Sequence, residues 1–134
     1  MKKIILCLSL LFVFALSSCA NSIMQSGSGN LKKEERTIGV MTGVMSTCSA
    51  DITITEGTSD KVEIETDDDI LPLIETRLIG GKLSITAKES IRPTVLRVRL
   101  QIKDATTFLM NGSGFINATG NFTGDNVHFG INGS

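Results

Sequence analysis

Residues 106–134 read TTFLMNGSGFINATGNFTGDNVHFGINGS, and the way this stretch folds decides the architecture. Asn111-Gly112-Ser113 returns 21 residues later as Asn132-Gly133-Ser134. Each copy follows a short apolar run, Phe108-Leu109-Met110 and then Val127 to Ile131. A strand and a small-residue corner, repeated at about 20 residues, is the pattern of a chain coiling into stacked rungs. One rung cannot bury its apolar face alone, so neighbours share a core.

Working back toward the N-terminus, the apolar period stays near two. Leu96, Val98, Leu100 and Ile102 alternate with Arg97, Arg99, Gln101 and Lys103. Thr76–Ile79 and Lys82–Ala87 flank Gly80-Gly81, two residues that reach positive φ without penalty and so suit a tight primed turn. That predicts an early β-hairpin with Leu83 and Ile85 inward. Val62 and Ile64 alternate with Glu63 and Glu65, and Ile52 and Ile54 with Asp51 and threonines. Ile70 to Ile74 is interrupted by Pro72, which allows a single turn and no long helix. No sustained amphipathic helix is present. The expectation is an all-β domain, either a sandwich or a coil. The short strands, Gly/Asn/Ser/Thr corners and repeat favour a right-handed parallel β-helix-like solenoid.

The chain begins with the features of an export leader. Lys2-Lys3 is followed by an apolar run from Ile4 to Leu16 and by Ser17-Ser18, which predicts a signal peptide over 1–18. A retained membrane helix is the alternative, but the run is short for a bilayer span. Leu16-Ser17-Ser18-Cys19 resembles the lipobox of bacterial lipoproteins. The expected outcome is cleavage before Cys19, a diacylglyceryl group on its sulfur and an acylated N-terminus such as palmitate, set against an ordinary leader with an incidental cysteine. Several acyl chains give a stable anchor where one is marginal. Residues 19–35 are then expected as lipidated cysteine plus Gly/Ser-rich tether, with the folded domain over 36–134. Cys7 leaves with the leader and Cys19 carries lipid. Cys48 is left as a lone thiol, without a disulfide partner and best suited to burial.

Of 13 basic residues two leave with the leader, so 11 face 14 acidic ones. That mild charge, with no Trp or Tyr on which bases could stack, excludes nucleic acid as the expected partner.

The order of these elements resembles a known family. It runs from Ile38-Gly39-Val40 through the alternating strands and Ile74 to Ile85, then Leu96 to Leu100, Asn111 to Ile116 and Phe129 to Ser134. The match is to the head GIN domain family of putative auto-transporter adhesins, over about Arg36 to Ser134. The resemblance implies a right-handed β-helix-like fold, an envelope location and an adhesin role. Family members continue through further Gly-Ser-Gly rungs. Ending at Gly133-Ser134 suggests a truncated gene or an open rung that pairs with another chain.

Candidate chemistry is sparse. Asp67, Asp68 and Asp69 are the one concentrated carboxylate set. Calcium is the conceivable metal, but consecutive strand residues cannot all face one ion, and a solvated turn is expected. Glu63 and Glu65 form an acidic stripe and Arg97 and Arg99 a basic one; these either pair across neighbouring strands or the arginines hold an anionic sugar in a groove. His128 is expected outward, with no ligand spacing around it, and no Gly-x-Ser-x-Gly elbow accompanies it. No catalytic residue and no cofactor is expected. The leading expectation is a lipid-anchored, outer-membrane binding or adhesion protein for a carbohydrate or envelope protein. The alternatives are a polysaccharide-acting enzyme using Asp67, Asp68 and Arg99, and a structural protein pairing through its last rung.

Overall fold

A computed structural model describes residues 23–122 and 127–133. The expected leader, Cys19 with its lipobox, and Ser134 lie outside the described residues. The strands are β1 (Gln25–Ser26), β2 (Leu31–Arg36), β3 (Gly43–Ser46), β4 (Asp51–Glu56), β5 (Lys61–Asp67), β6 (Ile74–Ile79), β7 (Lys82–Ala87), β8 (Ile91–Arg92), β9 (Leu96–Ile102), β10 (Thr107–Met110), β11 (Phe115–Thr119) and β12 (His128–Ile131). The only described helical turn is a 3-10 turn at Leu71–Leu73, where Pro72 fixes φ.

The protein is all-β. One five-stranded sheet has the order β12-β10-β3-β7-β6, and a second has the order β11-β4-β9-β5-β2. Neither closes into a barrel. Their inner faces meet in one core built from the alternating positions, among them Val44, Leu83, Ile85, Phe108 and Met110 opposite Ile52, Ile54, Val62, Val98 and Leu100. Phe108 is its largest fully buried side chain, stacked on Phe129 with ring centroids 4.8 Å apart and met edge-on by Phe122 at 5.5 Å.

The 21-residue repeat is a real stack. β10 lies parallel on β3 (Phe108 beside Val44) and β12 parallel on β10 (Phe129 beside Phe108). β11 lies parallel on β4, so the corner at 111–114 passes directly over the corner at 47–50. Those corners touch so closely that only glycine fits. A Cβ at Gly114 would sit 2.2 Å from the Ala50 carbonyl oxygen, and one at Gly133 would sit 2.4 Å from that of Gly112. The Asn132 amide donates to Asn111 Oδ1 at 3.1 Å, which continues the stack through the side chains.

Parallel pairing, expected throughout a solenoid, does not extend through the whole molecule. β2–β5, β5–β9 and β6–β7 are antiparallel. The β6–β7 hairpin turns at Gly80-Gly81 with φ of 55° and 76°, as its sequence demands. A hairpin reverses direction, so its partners cannot continue a one-way coil. Coil order in space also departs from chain order: β4 lies between β9 and β11, and β3 between β7 and β10.

The tether expected over 19–35 is corrected only where its residues are described, from residue 23 on. β2 pairs with β5 along its whole length, from Leu31 beside Asp67 to Arg36 beside Val62, and β1 pairs with β8. A strand that only completes a sheet edge needs backbone groups and not an apolar face, so LKKEER carries no period-two signal. Arg36 then bridges the two sheets, donating to the carbonyls of Ile74 (2.8 Å) and Leu71 (3.4 Å) and to the Thr76 hydroxyl (3.2 Å).

Candidate functional site

The outer face of the second sheet is mostly polar because one alternation puts apolar residues inward and leaves the rest outside. Cross-strand register sorts these residues into rows. One row runs Lys33, Glu65, Arg97, Asp51, Phe115, and the next runs Glu35, Glu63, Arg99, Thr53, Asn117. Charges of opposite sign meet across β5 and β9. Arg99 binds both Glu63 and Glu65, the latter at 3.2 Å, while Arg97 approaches Glu65 at 3.8 Å. The hydrogen bond that Arg99 donates to Glu63 leads in pushing its guanidinium above the ordinary value, with the charges of Glu63 and Glu65 helping. Arg99 is thus committed to its neighbours. Arg97 is held more loosely and stays about half exposed.

The aspartate triplet has a different task from the solvated turn expected of it. Asp67 continues the outward stripe of Glu63 and Glu65, yet it is fully buried because residues 27–30 roof it. A Cβ at Gly27 would stand 2.1 Å from Asp67 Oδ2, so only glycine can pass there. Asp67 Oδ1 accepts from the Gly29 N–H at 2.8 Å and Oδ2 from the Thr94 N–H at 2.7 Å. Burial alone raises the Asp67 carboxyl, but these N–H groups prevail and hold it below its ordinary value. Asp68 accepts from the Ser28 hydroxyl, and Asp69 accepts from the Ser28 N–H (2.9 Å) and the Gln25 amide (3.0 Å). The triplet is a clasp that fastens the N-terminal segment to the body. Asp67, Asp68 and Arg99 do not converge: the first two hold the clasp, and Arg99 stands opposite Glu63, four positions back along β5 from Asp67, roughly 13 Å at strand spacing.

Where β8 leads into β9, the clasp borders a groove of about 620 Å³ lined by Met24, Ser49, Asp51, Arg92, Val95 and Arg97 among others. Of the two arginines singled out in the sequence, the groove takes Arg97 and leaves out Arg99. It adds Arg92 and Ser49, which sequence reasoning missed because Ile91-Arg92 reads as loop and Ser49 as the filler of a corner. Cys48, beside that corner, is buried as expected, and burial pushes its thiol up. His128 is exposed on β12, and no three His, Cys, Asp or Glu residues group at metal-holding distance among the described residues.

The family model described as "Putative auto-transporter adhesin, head GIN domain" matches residues 41–134. The chain belongs to the head GIN domain family. Comparison with curated proteins finds no match. Solved structures share the fold of this head GIN domain. A putative adhesin from Parabacteroides merdae ATCC 43184 is 19% identical with a TM-score of 0.72, over 81% of this chain and 45% of that one. A putative adhesin from Bacteroides fragilis NCTC 9343 is 16% identical at 0.70, over 81% and 53%. A putative lipid binding protein from Parabacteroides distasonis ATCC 8503 is 22% identical at 0.65, over 70% and 43%. The chain therefore spans about half the length of the solved structures it matches, and none of these is described as an enzyme.

Proposed function

We propose that this head GIN domain protein is a lipid-anchored component of the cell envelope. Cys19 fixes it in the outer membrane, and its β domain is a non-catalytic adhesion module for a carbohydrate or an envelope protein. The observation that carries the reading is the exposed outer face of β2, β5, β9, β4 and β11, whose acidic and basic side chains neutralise one another in rows. Such a face is rich in hydrogen-bonding groups, and its carboxylates are paired with guanidinium groups rather than set as general acid and base in a pocket. The parallel stacking of β3, β10 and β12, and of β4 between β9 and β11, supports a right-handed β-helix-like build for that part of the domain. The adhesin description of the family favours an envelope or extracellular site of action.

Growth with labelled palmitate tests the anchor. The full chain takes up label and fractionates with membranes, while Cys19→Ala does neither; a membrane-bound, unlabelled Cys19→Ala chain refutes lipidation. A glycan and envelope-protein array probed with the full chain tests adhesion, and a blank array refutes it.

A second reading, assembly through strand addition, has its own support. β11 and β12 form the outer edges at one end of the described sheets, and Phe115, Phe129 and Ile131 are 76%, 61% and 61% exposed there. Concentration-dependent sedimentation favours it, and a strict monomer refutes it.

A further inference from the structure

We infer that the groove at the β8–β9 junction binds a sugar bearing an oxyanion, either a uronate carboxylate or a sulfate, with Arg92 as the principal contact. The inference rests on the adhesion reading and supplies its ligand class.

Charge placement comes first. Arg92 is exposed, and its side chain has no hydrogen bond or ion pair with any described residue. Arg99 is consumed by Glu63 and Glu65, and Arg36 by Glu34 and the carbonyls of β6 and the 3-10 turn. A free guanidinium at the rim of a groove offers a planar fork of donors that fits a carboxylate or sulfate edge with two parallel bonds. Arg97, on the next strand, adds a second, loosely held cation.

The mount for that guanidinium is rigid. The Arg92 carbonyl accepts from the Gly27 N–H at 3.0 Å and the Ser90 carbonyl from the Gln25 N–H at 2.9 Å. Gln25 is itself fastened to Asp69 at 3.0 Å. A short strand that would otherwise wander is pinned by the aspartate clasp, so less order is lost when a ligand arrives.

Shape and lining complete the match. A volume near 620 Å³ falls in the usual range for small-ligand sites, roughly 300–1,000 Å³. Ile91, Pro93 and Val95 are half-buried and give apolar surface for the C–H face of a pyranose. Asp51 stands beside Arg97 in register and turns that end of the groove into a hydroxyl acceptor. The acid group of the sugar therefore lies toward Arg92 and its hydroxyls toward Asp51 and Ser49.

Calorimetric titration of the full chain in non-ionic detergent micelles tests the site. The probes are trigalacturonate, its fully methyl-esterified form and a sulfated chondroitin disaccharide. We expect one or both acidic probes to bind, with the tighter one naming the oxyanion, and the ester to bind at least about tenfold more weakly. Arg92→Gln should weaken binding of the acidic probe roughly tenfold to a hundredfold, the worth of one or two charge-assisted hydrogen bonds. Arg77→Gln, which removes an exposed guanidinium from the other sheet, should leave it unchanged. Equal binding of acid and ester, or full affinity in Arg92→Gln, overturns the inference. Array binding to neutral glycans that survives Arg92→Gln overturns the site and leaves adhesion standing, whereas a blank array overturns both. Arg92-dependent binding to phosphatidylglycerol vesicles without sugar binding reassigns the groove to lipid headgroups and also overturns the inference.

Discussion

Replacing Asp67 by Asn tests whether the aspartate triplet fastens the N-terminal segment. The carboxylate is fully buried and accepts one N–H on each oxygen, Gly29 at 2.8 Å and Thr94 at 2.7 Å. Asparagine keeps the shape but offers one acceptor, so its amide must confront one of those two donors. One charge-assisted bond is lost, at about 1.5–3 kcal/mol, and a buried donor is stranded at a further 1–3 kcal/mol or so. A net loss of roughly 3–5 kcal/mol follows, equivalent to a fall of more than about 10 °C in Tm for a domain near this size. Urea unfolding of the full chain should show a lower midpoint at unchanged slope. Proteolysis after Lys32 and Lys33 should accelerate as β2 loosens.

The same substitution has a pH signature. The folded carboxyl sits below its ordinary value of 3.8, since the Thr94 and Gly29 N–H groups outweigh the effect of burial. A group with a depressed folded pKa stabilises fully above its unfolded pKa, and that contribution fades as pH falls through the folded value. The wild-type chain should therefore stand above Asp67→Asn by a constant margin from about pH 5 upward, and the margin should shrink on acidification below about pH 4. A variant of wild-type stability at neutral pH, or a margin that survives acid unchanged, would refute the clasp.

Two further outcomes follow from the core. Phe108→Ala removes the largest fully buried side chain along with its contacts to Phe122 and Phe129, and should cost about 3–5 kcal/mol in denaturant unfolding. Cys48 is buried and its thiol is pushed up, so iodoacetamide at neutral pH should label it only after urea unfolds the chain; rapid labelling of the native protein would contradict its placement.

Legibility in the sequence followed the physics of each element. Strand β9 was readable because one face is buried and the other wet, so Leu96 to Ile102 alternates without a fault. The β6–β7 turn was readable because positive φ at two successive residues all but demands Gly80-Gly81. The 21-residue repeat was readable because corners that touch backbone to backbone admit only glycine. β2 was hidden, since an edge strand contributes hydrogen bonds and leaves its composition free. Of the site, the pairing of Glu63 and Glu65 with Arg97 and Arg99 was legible from alternation. The groove was not, because Arg92 gains its setting only from Gln25–Gly27, a stretch whose Gly and Ser suggested slack chain. The one available signal was the coincidence of a glycine-rich segment, rich in free N–H donors, with an aspartate triplet of acceptors about 40 residues on.

The interleaved order of the coils governs how the molecule comes together. β3 occupies the middle of one sheet and β4 lies inside the edge of the other, yet the strands on either side of them arrive only with Lys82–Ile102 and Thr107–Thr119. As the polypeptide emerges from the N-terminus, this layer is thus made before any of the four strands that flank it. Until then both of its rims present unmatched N–H and carbonyl groups, and long loops must close before any of them is rewarded. Assembly should accordingly be slow for the size of the chain, and a holdase would act on the interval before β10 arrives.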